Sequence, residues 1–158
     1  QGSNTERLQG RKNVSRLDAY MLLSGVNAIA RWQSSSFGDW LRATEEEPDQ
    51  GMKTTFLISM LDVFGYPVDS ESWDALLFLP QDLEEAASNH AFESNLIRAA
   101  SRQRVGETVA LSLLALGEDG PAEATVTTLT AVAAALKAIG LEEEARQLVL
   151  EAAIARKL

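Results

Sequence analysis

Few side chains in this 158-residue chain have the types and spacing needed for chemistry. There is one histidine, His90, and no cysteine, which excludes thiolate zinc sites, cysteine nucleophiles and disulfide frameworks. Glu93 follows His90 by three residues, and Glu84 and Glu85 lie a little more than one turn before it. On a helix His90 and Glu93 share a face, a spacing that can offer a metal two ligands. Di-metal bundle sites place the glutamate three residues before the histidine, the reverse of this order. A helical surface histidine beside a carboxylate is the expected role, and no metal is expected.

The other catalytic patterns are equally thin. Glu45–Glu47 and Glu142–Glu144 are runs of carboxylates without a partner that would set one as acid and another as base. The first reads as a solvated loop before Pro48, the second as charge suited to the positive end of a helix. Ser34–Ser36 lack the nucleophile-elbow glycines, and one distant histidine makes no triad. No phosphate-cradling or dinucleotide-binding glycine loop is present. The sequence therefore predicts no catalytic residue, no cofactor and no enzymatic activity.

Binding residues are easier to nominate. Arg98 and Arg102 stand one helical turn apart, with Arg104 close by, so both can address one carboxylate of a partner peptide. Pairing with the protein's own glutamates is their commoner use. Trp32, Trp40 and Trp73 each flank an expected turn, where a ring can wedge between helix ends. Trp40, on a short helix beside the acidic loop, is the one expected to be exposed and available as a contact.

The elements that must carry these residues read as helices throughout. Apolar positions recur at three-to-five-residue spacing over 14–32. Ser36 and Asp39 suggest a capping box for a short helix bearing Trp40. Met52, Phe56, Leu57, Met60, Leu61 and Phe64 form an apolar stripe that Gly65 and Pro67 terminate. Asp69 and Ser70 offer caps for a helix that stops at Pro80. Asp82 and Glu85 suggest a start for a helix running to about 102, and another helix spans 105–116. Pro121 suggests the first turn of an alanine-rich helix over 121–139, expected at the centre of the packing. A last helix covers 142–156. No segment alternates as a half-buried strand would. The fold class is all-α, about seven helices in antiparallel hairpins, as a helical bundle or a short α-solenoid.

Leu61, Leu113 and Leu136 each precede a helix-ending glycine by four residues, at Gly65, Gly117 and Gly140. Around the last of these, residues 129–152 resemble one tetratricopeptide-type hairpin. Leu129, Val132, Ala133 and Leu136 match its first helix, Gly140 its turn, and Ala145, Val149 and Ala152 its second helix. The chain departs from that pattern at Asp74, where a large apolar residue is wanted, and has no 34-residue period. The resemblance implies a groove between hairpins that binds a peptide or a partner protein.

Charge narrows the partner. Residues 1–35 carry a net +3, the remaining 123 a net −12, and the whole chain −9. An acidic body repels phosphate backbones, so nucleic acid is not expected as a ligand. The basic stretch Arg7–Arg16 can form a local contact patch, although a solvated helix end is its commoner role. No apolar run is long enough to cross a membrane. Gln1-Gly2-Ser3 reads as a cleaved affinity-tag remnant, and residues 4–158 as a single helical domain, expected to be a fragment of a longer protein. The composition fits a bacterial cytoplasm or periplasm alike. The functional expectation is a non-catalytic interaction or scaffolding domain that uses Arg98, Arg102 and Trp40. Its alternatives are a small-molecule-binding or regulatory bundle, and an accessory domain of an enzyme.

Overall fold

A computed structural model describes residues 2–26, 34–79 and 90–158. Among the described residues eight α-helices follow one another: α1 (Gly2–Ser24), α2 (Ser34–Thr44), α3 (Gln50–Val63), α4 (Ser70–Leu76), α5 (His90–Ser101), α6 (Val105–Leu116), α7 (Val126–Ala138) and α8 (Glu142–Ala155). A 3-10 turn over Gly120–Ala122 precedes α7. Among the described residues there is no β-strand, and no helix is long and apolar enough to cross a membrane. The expected all-α class is the one observed. The helices gather into two compact units, residues 1–81 with Leu158 and residues 82–157.

In the first unit α3 is the central element, packed against α1, α2 and α4. Its stripe of Phe56, Leu57, Met60 and Leu61 is buried, and so are Ile58 and Thr54 on its other sides. A helix apolar on most faces must be covered on most faces, and α1 contributes Leu22 and Leu23 while α2 contributes Phe37 and Trp40. Tyr66 closes the packing by donating its phenol O–H to the Leu22 carbonyl at 2.8 Å. Asp69 caps α4 by accepting from the Ser72 amide at 2.7 Å, as its residue type predicts.

The second unit is built on small residues. Its central helix is α7, packed on α5, α6 and α8. Leu129, Val132, Ala133, Ala135 and Leu136 of α7 are buried, as are Ala145, Val149, Ala152 and Ala153 of α8. Alanine at these positions lets the backbones approach, so dispersion contacts are gained from main chain as well as side chain. Ala134 and Ala138 are exposed, so α7 is central without being buried on every face.

Two glycine-ended helices share one hydrogen-bond pattern, and the left-handed backbone at the glycine is its cause. At Gly65 (φ 78°) the Tyr66 amide donates back to the Leu61 carbonyl at 2.9 Å. At Gly140 (φ 85°) the Leu141 amide donates to the Leu136 carbonyl at 2.9 Å. Both are left-handed caps that only glycine adopts without strain. Gly117 differs, since its own amide returns to Leu113 at 3.2 Å and the chain leaves in an extended direction.

Some expected boundaries move. α2 begins before Ser36, which lies inside the helix, so no capping box forms there and Asp39 pairs instead with Arg42 at 3.2 Å. Pro121 sits in the 3-10 turn rather than at the start of α7. The cap of α7 is Thr125, extended at φ −64°, ψ 157°, whose hydroxyl oxygen accepts from the Thr128 amide at 3.1 Å. Trp32 and the expected cap at Asp82 and Glu85 lie outside the described residues.

At Gly140 an added Cβ would meet no atom within 4 Å, so the left-handed backbone alone sets the cost of replacing it. Gly140→Ala is expected to lower the stability of the second unit by about 1 kcal/mol, read as a shifted urea midpoint with an unchanged slope.

Candidate functional site

The first helix carries two sets of cations, one for structure and one left over. Lys12 and Arg16, four residues apart, face the loop between α2 and α3. Lys12 Nζ pairs with Glu46 at 2.9 Å, and the Arg16 guanidinium pairs with Glu47. The other Glu47 oxygen accepts from Lys53 Nζ at 2.6 Å, and Asp49 stands 3.3 Å from the same ammonium. Lys53 is only 5% exposed, so its charge depends on these carboxylates. Glu45 and Glu46 are exposed as expected of a solvated loop, and the expectation is corrected at Glu47, which joins α1 to α3 because a buried ammonium on α3 requires an anion beside it.

Arg7 and Arg11 form the second set, and with Val14 and Asp18 they are spaced to share one face of α1. That face and the Ser36, Asp39 and Arg42 side of α2 line a groove of about 650 Å³. Four cations (Arg7, Arg11, Lys12 and Arg42) stand along it against the two carboxylates Asp18 and Asp39. Lys12 and Arg42 have partners in Glu46 and Asp39. Among the described residues neither Arg7 nor Arg11 forms an ion pair. Gly10, Val14 and Ala43 supply a small, apolar wall. The arrangement can hold a carboxylate-bearing chain against an apolar surface while two guanidinium groups stay available to it. The groove was readable only as an i, i+4, i+7, i+11 spacing from Arg7 to Asp18, a signal that the general basicity of the segment obscures.

The nominated residues fall elsewhere. Trp40 is fully buried, and its indole N–H donates to the Thr54 hydroxyl at 3.1 Å. Its expected exposure is thereby overturned: α2 lies with its apolar side on α3, and a ring of that size on the buried side fills the core. Among the described residues Trp73 is the partly exposed tryptophan, at 39%. Arg98 and Arg102 are both exposed at the end of α5. The Arg98 guanidinium donates to the Asn95 side chain, and neither arginine has a carboxylate partner among the described residues. Glu84, Glu85 and the side chain of His90 lie outside the described groups, and no three potential ligands converge on a metal position among the described residues.

A smaller cavity, about 150 Å³, opens in the second unit among α5, α6 and α7. Phe92, Leu96, Thr128 and Glu93 line it, and Glu93 Oε1 is buried without a hydrogen-bond partner.

No family model matches the chain, and neither a curated protein nor a solved structure matches it significantly.

The Glu47 bridge makes two measurable demands. Glu47→Gln is expected to cost roughly 2 kcal/mol, below the range for a fully buried pair because Asp49 remains. Adding Lys53→Met should recover most of that loss, since it removes the charge that needed compensation; urea denaturation of the three proteins measures both effects. Tyr20 supplies a pH readout of the same region. Burial raises its pKa, and the Arg16 and Lys53 cations pull it down by less. The folded state thus favours the neutral phenol, so its contribution is complete below about pH 10 and is lost as pH rises through the raised value. Tyr20→Phe should flatten that alkaline loss of stability.

Proposed function

We propose that the chain is a non-catalytic interaction module whose first unit binds an acidic segment of a partner protein in the α1–α2 groove. The observation that carries this reading is the pair Arg7 and Arg11, cations without ion pairs among the described residues on the wall of a 650 Å³ groove. Both guanidinium groups are exposed along the groove, so each is open to a bidentate hydrogen-bonded pair with a carboxylate of the partner. Val14 and Ala43 would take apolar side chains interspersed with the acidic ones. The clamp at Glu47 supports the same reading, since it fixes α1 and holds the groove open before a ligand arrives. Arg98 and Arg102 offer a second exposed cationic pair.

The alternative, a small-molecule-binding bundle, draws support from the unpartnered Glu93 oxygen at the 150 Å³ cavity. A small ammonium compound beside Phe92 would satisfy that oxygen and meet the ring face.

Capture from a cell lysate with charge-reversed baits separates these readings. Arg7→Glu with Arg11→Glu is expected to reduce recovery of bound protein at least about tenfold, while Arg98→Glu with Arg102→Glu leaves it within about twofold. Equal recovery by wild type and the groove variant would remove the groove reading. A melting temperature raised by small alkylammonium ions and unchanged in Glu93→Gln would argue against the cavity as their site.

A further inference from the structure

α6 is packed with its polar side inward. Its buried positions are Thr108 and Ser112, whose hydroxyls donate to the carbonyls four residues back, Arg104 at 2.9 Å and Thr108 at 2.8 Å. Two of its leucines point the other way: Leu113 is 65% and Leu114 70% exposed, while Leu111 and Leu116 are half-buried. Gly106 and Ala110 lie on the same exposed face, and among the exposed residues of the helix only Glu107 is charged. A helix apolar on this many sides is ordinarily covered on all of them.

The charges at its two ends say what covers it. Arg102 and Arg104 stand at the N-terminal end, and Glu118 and Asp119 at the C-terminal end, all exposed. Arg104 reaches Glu107 at 2.9 Å in an exposed pair; neither Arg102 nor the two acidic residues has an ion pair among the described residues. The rod is therefore positive at one end, apolar along its length and negative at the other. A parallel neighbour of the same kind would set like-charged ends together, whereas an antiparallel one sets the Arg102 and Arg104 end of one copy at the Glu118 and Asp119 end of the other.

We infer that α6 is the contact of an antiparallel homodimer, in which the exposed face of one copy lies on that of a second copy. With the two-fold axis between Leu111 and Ser112, Leu113 of each copy packs on Ala110 of the other. Gly106 then opposes Gly117, and the absence of side chains at both ends lets the helices close on the leucines. The turn after Gly117 then carries Glu118 and Asp119 of one copy to the end where Arg102 and Arg104 of the other stand. The residues and the unit differ from those of the α1–α2 groove, so the inference does not rest on that reading.

Sedimentation velocity of the whole chain from about 1 to about 100 µM tests it. The expected result is twice the monomer mass at the upper end, falling to the monomer mass in Leu113→Glu with Leu114→Glu while the far-ultraviolet circular dichroism is unchanged. Arg102→Glu with Arg104→Glu, and separately Glu118→Arg with Asp119→Arg, should each weaken self-association at least about tenfold. An equimolar mixture of those two charge variants should recover the dimer, because both ends of the mixed pair are again complementary. A wild-type monomer throughout would overturn the inference, and so would a dimer that survives the leucine substitutions. Failure of the mixture to recover would overturn the antiparallel pairing. If the leucine variant loses helicity, Ala110→Glu on the same exposed face replaces it with the same expected loss of mass.

Discussion

The ammonium of Lys53, nearly out of water on the central helix of the first unit, constrains everything around it. A buried charge without a partner would cost several kcal/mol, so the chain must deliver carboxylates to that spot. Glu47 and Asp49 do so from the loop between α2 and α3, and the second oxygen of Glu47 then recruits Arg16 from α1. One carboxylate thus fixes two helices to a third element. The groove follows as a consequence: with Arg16 held on one side of α1, the Arg7 and Arg11 side is turned toward α2.

The second unit solves a different problem with different chemistry. It holds no comparable buried ion pair among its described residues, and relies on alanine, serine and threonine to bring α5 to α8 close together. Buried hydroxyls on α6 are satisfied within their own helix, so they need nothing from neighbours and fit where a leucine would be too large. The leucines displaced from the core are left on the outside. The packing of the unit and the apolar face it presents are therefore two results of one choice of residues.

Legibility in the sequence divides along physical lines. Local rules worked where one residue type has one dominant use: the glycines at 65 and 140, the cap at Asp69 and the acidic start of α8 stand where their types predict. They failed where two local signals compete, as at Pro121, where an N1 proline suggested a start that the Thr125 cap takes instead. The site was harder to see, because pairing is decided in three dimensions. Glu47 is one of three consecutive glutamates, and only the burial of Lys53 distinguishes it. Trp40 was misread because periodicity over a short helix does not say which side meets α3. On α6 the hydrophobic pattern is apolar nearly all round, so it could not tell which face would be inside.

The most direct test of the groove is a backbone amide titration of the 15N-labelled chain with a short glutamate- and leucine-containing peptide. Binding in the groove predicts saturable shifts at Gly10, Val14 and Ala43, with the amides around Arg98–Arg104 unmoved. Shifts confined to Arg98–Arg104, or none at any peptide concentration, would contradict it.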